Sequence, residues 1–583
     1  MKNQPGSTIH SLLRVLAVAL GILVVVLPPW VFVFDTLLGD ASGCKIMAQV
    51  ARRSGFMFYA PRGDSGRADS APASTGSPPT SRTGALARAA LNSVALALVT
   101  CAGCVLLGVP AAFALARTRL NAARWLFVLC LLPFLIPAHV HAIAWIGAFA
   151  GNGLLGRLVL WLGLGWPTAK HVYSFWGCAF IMTLCFWPCV ALPCAARLAG
   201  LPRNLEDAAR LHRGPAAALL SVALPQTVPA LLAGLAVVFV LVLGDLAVGS
   251  ILWPKTGAFE IFTQFAAFCD NKAALAATGL LLLAIAPALA AGLWAVSRLR
   301  GMAFDPEHQQ PAYLRGSGGC ACAVVLVAAL VASVVVPLGA LVFDTWAGDS
   351  LVQVIARLKQ VLKGDRDSIV PTFFLAAIGA AAVVVVGLLT ALALRSSVAG
   401  AQNRAWRMIK PVVWLGFLVP LAVPGMIVGL GLSGMYNHPG LRQRIFSSSA
   451  IVVLAYVCRF GFVGLAWCHY QLAVQGRRFG EAAAAHGVAA WRRVLRIEIP
   501  LAARSLLVLW FIVFVLCLGD LDTTMLVDPP GLMTLPKRIA NLIHYSYDSH
   551  LAALCLILVV GCLVLFVPTA VLLARRRRRR LSA

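Results

Sequence analysis

Ionisable side chains are scarce in the apolar stretches of this chain, and those few are the first candidates for chemistry. Asp245 and Asp520 each stand next to last in two copies of Val-Phe-Val-Leu-x-Leu-Gly-Asp-Leu, at Val238–Leu246 and Val513–Leu521. Arg459 lies in the middle of another apolar stretch, and Asp522 has no counterpart in the first copy. In a membrane, such charges mark pathways or partners. Two readings stand: the aspartates face a central pathway and attract a cation or contact a delivering protein, or each caps a helix end or pairs with Arg459 or a backbone donor. His139 and His141 suggest metal binding. Residues two apart on a helix point about 200° apart, so one helix cannot offer both to one metal, and hard cations favour oxygen ligands. Cys101 and Cys104 form a CxxC inside an apolar helix, and most of the sixteen cysteines share that setting. There they act as small hydrophobes. The expectation is therefore no catalytic constellation, no metal site and no cofactor. The chain has no Gly-Lys pair, so it lacks a phosphate-cradling P-loop. If ATP drives this protein, a separate subunit must hydrolyse it.

The elements that position these residues follow from composition. Of 583 residues, 60% are hydrophobic and 12% charged, a balance suited to lipid rather than water as the main solvent. Apolar stretches of about 20 residues, long enough to cross a bilayer as helices, recur twelve times, near 12–34, 86–115, 125–150, 172–199, 226–250, 273–297, 320–344, 370–395, 411–434, 449–470, 502–527 and 550–574. Barrel strands would instead alternate over about ten residues. The fold class expected is an all-α polytopic membrane protein. The first stretch is followed by Leu27-Pro28-Pro29-Trp30, with no small-residue cleavage pattern, so it reads as a retained first transmembrane helix (1–34).

The net charge of +27 gathers in alternate loops: Arg117, Arg119 and Arg124; Arg203, Arg210 and Arg213; Arg298, Arg300 and Arg315; Arg404, Arg407 and Lys410; Arg477 to Arg496; and the tail Arg575–Arg580. This is a topology signal rather than a nucleic-acid footprint. It puts those loops and both termini in the cytoplasm. The loop at 35–84 carries basic residues on the outer side, but long loops are weak topology determinants. Its Gly, Ser and Pro content over 61–84 suggests an external, partly disordered loop.

The two copies are offset by 275 residues. The same offset carries Glu206 onto Glu481, Ala208 and Ala209 onto Ala483 and Ala484, Pro225 onto Pro500 and Pro254 onto Pro529. A chain that repeats at half its length is two copies of one module. Six spans precede the linker at 298–319 and six follow it, so the two repeats share one orientation in the membrane. The expected modules are 85–297 and 320–574, with a basic tail at 575–583. The third span of each carries Pro-x-x-x-Pro, Pro133/Pro137 and Pro420/Pro424, which breaks or kinks it near the bundle interior.

Between spans four and five each module has a long cytoplasmic loop, 200–225 and 476–500. In the second, Glu481-Ala482-Ala483 is a strong helix former, Gly487 is a natural stop, and a short helix leads to Pro500. This element can present Trp491 and its alanines as a docking surface, or lie on lipid as an interfacial helix. The pattern Glu-Ala-Ala, three residues, Gly, nine residues, Ile-x-hydrophobic-Pro resembles the EAA loop of ABC importer permeases. Glu206-Asp207-Ala208-Ala209 through Leu224-Pro225 is similar, except that His212 takes the glycine position and Gly214 follows two residues later. The resemblance implies that Glu206, Asp207, Ala208, Ala209, Gly214 and Pro225, with Glu481, Ala482, Ala483, Gly487 and Pro500, couple the chain to an ATPase.

The fused modules, with Leu418-Val-Pro-Leu-Ala-Val-Pro-Gly425, Leu132-Pro-Phe-Leu-Ile-Pro-Ala138 and Pro529-Pro-Gly-Leu-Met-Thr-Leu-Pro536 followed by His544-Tyr-Ser546, further resemble the ferric-iron permeases. That resemblance implies a type I (MetI-like) fold, ferric iron as cargo, an ABC ATPase homodimer, an external substrate-binding protein and the bacterial inner membrane. Fused permeases for thiamine, phosphonate or polyamines share the pattern. A twelve-span secondary transporter is the rival from another class; it would need no docking loop.

Overall fold

A computed structural model describes residues 82–581 with short breaks, chiefly 119–124, 164–171, 302–316, 395–403, 475–481 and 544–548, together with Val18, Gly21 and Val25. The expected first span and the 35–84 loop lie almost wholly outside the described residues. Those described form helices and connecting turns. In chain order the principal helices are α1 (Arg82–Arg117), α2 (Ala138–Phe149), α3 (Phe175–Ala199), α4 (Arg203–Ala218), α5 (Leu224–Gly244), α6 (Asn271–Gly301), α7 (Ser317–Leu330), α8 (Val336–Trp346), α9 (Arg366–Leu394), α10 (Arg404–Ala422), α11 (Gly425–Tyr436), α12 (Ala450–Val474), α13 (Ile499–Gly519) and α14 (Ser549–Leu581). Nine helices among the described residues are long and apolar enough to cross a membrane, or eleven if each of two bent pairs is one span. The fold is all-α and polytopic, as the hydropathy pattern predicts.

The bent pairs are the two spans with Pro-x-x-x-Pro. Leu126–Leu135 meets the helix starting at Ala138 at 87°, and Met408–Ala422 meets α11 at 111°. Pro137 and Pro424 sit at the N-caps of α2 and α11. Each removes an N–H that would have bonded four residues back, and the helix stops there.

Repetition extends to the detail of the backbone. A π-turn at Leu219–Ala223 precedes α5, and another at Val494–Glu498 precedes α13. They stand at the same 275-residue offset as the sequence repeat, and α5 and α13 are both 21 residues long. Both turns run into a Leu-Pro or Ile-Pro step, and a third π-turn, Val331–Val335, runs into Val336-Pro337. A proline ring collides with the carbonyl four residues back in a regular helix. The wider turn removes that collision without ending the helix.

Buried side chains form two main cores. One gathers α1, α3, α5 and α6; the other gathers α9, α12, α13 and α14. Residues near the start of each half join the other core. Leu326 and Ala329 of α7 and Ala340 of α8 belong to the first core, and Trp187 donates from Nε1 to Ser333 Oγ at 3.4 Å. Val18 and Val25 belong to the second core, where Cys458 Sγ lies 3.2 Å from the Val25 carbonyl. The hydropathy pattern could not show this exchange. It also passed over the 14-residue helix Leu351–Gly364, whose Ser350 and Gln353 form a capping box; a reading at span length skips a helix that short.

Candidate functional site

At the loop ends of α5 and α13 the chain builds two similar elements. In the first half, α4 carries Glu206 in its first turn and breaks at Gly214, whose φ is +81°. In the second, Ala482 and Ala483 open a helical turn, and Gly487 has φ +75°. Val488 N–H reaches the Ala483 carbonyl at 3.0 Å and His486 N–H the Ala482 carbonyl at 3.2 Å, the pattern of a glycine stop. The glycine shift noted in the sequence is thus a shift of the stop itself, from the His212 position to Gly214. The total length to the proline is unchanged, so α5 and α13 begin in register. Pro225 and Pro500 occupy the first helical turns of those rods and are exposed.

The outward faces of both loops are mixed apolar and polar. Asp207, Ala208 and Ala482 are exposed, Ala209, Ala483 and Gly214 are half-buried, and Leu211 is 87% exposed. Trp491 is 50% exposed, with the Arg492 guanidinium 5.1 Å from its ring centroid. Glu206 differs. It is buried, and Arg117 at the end of α1 grips its carboxylate, Nη1 to Oε2 at 3.0 Å and Nη2 to Oε1 at 2.5 Å. Glu481 lies outside the described residues.

At the other end of the rods, both halves converge. Asp245 follows α5 and accepts from Val248 N–H at 2.8 Å; Asp520 follows α13 and accepts from Thr523 N–H at 3.3 Å and Thr523 Oγ1 at 3.1 Å. These are the same corner at the 275-residue offset, so the capping reading holds for one oxygen of each. Asp522 crosses between halves, its Oδ2 accepting from Leu246 N–H at 3.4 Å. Arg459 of α12 donates to the carbonyls of Pro420 and Val423, and its charge attracts Asp245, Asp520 and Asp522. The buried Oδ2 of Asp520 and Oδ1 of Asp522 have no hydrogen-bond partner among the described residues. The guanidinium whose charge acts on all three carboxylates is therefore already committed to backbone carbonyls.

The glycines of the two corners fix the approach. A methyl on Gly519 would stand 3.5 Å from Pro137, and one on Gly244 would stand 3.8 Å from Pro424 and 3.6 Å from Arg459 Nη2. Each rod's end thus faces the broken span of the opposite half. His141 of α2 lies with Nε2 3.3 Å from the Pro133 carbonyl, and His139 is buried with no hydrogen-bond partner among the described residues. Among the described residues no group of three His, Cys, Asp or Glu is arranged to hold a metal ion. Sequence reading singled out the charges at this end and offered a pairing with Arg459, but it placed Arg117 only among the basic loop residues and missed its pairing with Glu206, 89 residues away.

With this geometry in hand, comparison with known proteins is informative. A molybdenum transport system permease protein of Mycobacterium bovis is 34% identical over 161 residues, 27% of this chain and 58% of the relative. A permease protein named for 2-aminoethylphosphonate transport in Salmonella typhimurium is 26% identical over 164 residues, 27% of this chain and 59% of the relative. One named for Fe(3+) transport in Haemophilus influenzae is 28% identical over 184 residues, 31% of this chain and 32% of the relative. The chain thus spans rather more than half the length of the first two relatives. No family profile matches it, and no solved structure does. Its relatives are transport permeases, among them ABC transporter permeases.

Proposed function

We propose that this chain is the membrane-spanning permease subunit of an ABC importer, built from fused modules at 85–297 and 320–574 joined by the linker 298–319. One observation carries the reading: loop, π-turn, 21-residue rod and Gly-Asp corner recur in both halves at one offset. Two similar levers suit two identical motors. An ATPase homodimer closing on the loops would move α5 and α13 as rigid rods. Their far ends, which meet at Asp245, Asp520 and Asp522, would then part and admit cargo delivered by an external binding protein. Both termini face the cytoplasm and the chain resides in the inner membrane in this reading.

For the cargo, ferric iron is the best-supported choice. Two buried carboxylates, Asp520 and Asp522, and the half-buried Asp245 around one occupied guanidinium repel an oxyanion and attract a cation. A second reading, transport of phosphonate or molybdate, draws on the relatives named for those substrates. Reconstitution with a candidate ABC ATPase and binding protein from the same genome separates them: radiolabelled iron(III) uptake that requires ATP is expected, with molybdate and 2-aminoethylphosphonate left outside. Uptake without any ATPase would instead favour a secondary transporter.

A further inference from the structure

We propose that Glu206 fastens the first loop to the transmembrane bundle and is a positioning residue, not the residue that touches the ATPase. The inference rests on the permease reading, whose family resemblance puts Glu206 at the partner contact. Geometry points inward instead. The Glu206 side chain is 5% exposed and both its oxygens are occupied by the Arg117 fork. Arg117 Nη2 also donates to the Leu198 carbonyl at 2.8 Å. One guanidinium thereby joins the last residue of α1, the last turn of α3 and the first turn of α4. Bidentate pairing of this kind fixes direction as well as distance, and lysine cannot reproduce it.

Helix phase separates the two faces of the loop. Positions 206 and 210 share one side of α4, whereas 207, 208 and 211 share another. Arg210 is half-buried, and its charge opposes that of Arg117, so Glu206 also separates two cations. The outward side carries Asp207, Ala208 and the 87%-exposed Leu211; contact with a partner belongs there. Pressure on that face reaches α1 and α3 through the Arg117–Glu206 joint, while the route through Gly214 and the π-turn reaches α5.

The test uses the full chain, co-expressed with a candidate ABC ATPase from the same genome, carrying Glu206→Gln, Arg117→Gln, Arg117→Lys or the swap Arg117→Glu/Glu206→Arg. The three single variants should retain the ATPase on purification yet lose about tenfold of cargo uptake per ATP hydrolysed, as expected for a lost charge-assisted pair. The swap should recover much of that loss. In the chain without partner, amide exchange over 203–218 should quicken by about tenfold in each single variant and slow again in the swap. Unaltered exchange in Arg117→Gln overturns the joint whatever the ATPase does. Loss of ATPase capture in Glu206→Gln, with Arg117→Gln behaving as wild type, assigns Glu206 to the partner and overturns it too. A wild-type chain that captures no ATPase removes the permease reading, and the exchange measurement still decides the joint.

Discussion

Arg459 and His141 occupy the same niche by different chemistry. Pro424 and Pro137 lack the N–H that a helix would return to Pro420 and Pro133, and the orphaned carbonyls must find other partners. Arg459 donates to Pro420 O in the second half, whereas His141 lies beside Pro133 O in the first. Only the arginine also faces the aspartates, so the second half carries the charge balance for both. Replacing Arg459 by Gln leaves the buried Asp520 and Asp522 without their cation, and the expected loss is about 3–5 kcal/mol. A thermal melt in detergent should show it, with Arg459→Lys falling between Gln and wild type; an unshifted melt for Arg459→Gln would refute the balance. Close packing beside the break gives a second expectation. A methyl on Gly425 would stand 2.7 Å from Thr523 Oγ1 and 2.9 Å from Asp522 Cβ, so Gly425→Ala should cost about 1–3 kcal/mol. Gly279 in α6 has open space around it, and Gly279→Ala should instead stabilise by roughly 0.5–1 kcal/mol. Melting both variants side by side distinguishes a packing effect from a general one.

At the level of elements, the local signals were legible and the long-range ones were not. Span hydropathy, the paired prolines, the glycine stops and the duplicated corner each live within a few residues, and each is found where the sequence places it. What escaped was pairing between distant residues: Arg117 with Glu206, Asp522 with the Leu246 amide, Arg459 with the opened span. Residue types alone do not encode which apolar faces will meet, so charges carried on those faces have no visible partner. The π-turns fall between these cases. Their cause, a proline in the first turn of the rod, was visible, while the choice of a wide turn over a break was not. Gly487 offers a direct test at this scale. Its φ of +75° disfavours any other residue and nothing lies within 4 Å of an added Cβ. The penalty of Gly487→Ala is thus conformational alone, about 1 kcal/mol. Melting should fall only slightly, but capture of the ATPase should drop sharply because the loop no longer turns at its set place. Gly214→Ala, at φ +81° with equally open surroundings, should behave alike in the first half. Normal capture by both variants would mean that the stops do not shape the docking face.

Across the whole molecule, the halves are held together by exchange as well as by their corners. α7 follows the linker yet packs into the first core, and α8 bridges the two, with Ala340 in the first and Leu341 in the second; Trp187 is bound to Ser333 and Arg157 lies 5.1 Å from the Phe343 ring centroid. Val18 and Val25 precede the first module yet pack into the second, beside Phe417 and Cys458. A chain laced in this way can rock one half against the other about the rods while the opening spans keep the halves from separating, which suits alternating access. The approach of Val25 to the second core is open to a direct measurement. Cys458 Sγ stands 3.2 Å from the Val25 carbonyl, so a thiol at position 25 is brought near Cys458. With Val25→Cys and a protease site introduced into 302–316, mild oxidation before cleavage should leave the two fragments joined on a non-reducing gel and separate them on reduction. The same chain with Cys458→Ala should fall into two fragments under both conditions. Fragments that separate even with both thiols present would show that the first span stays with its own half, and the laced arrangement would have to be abandoned.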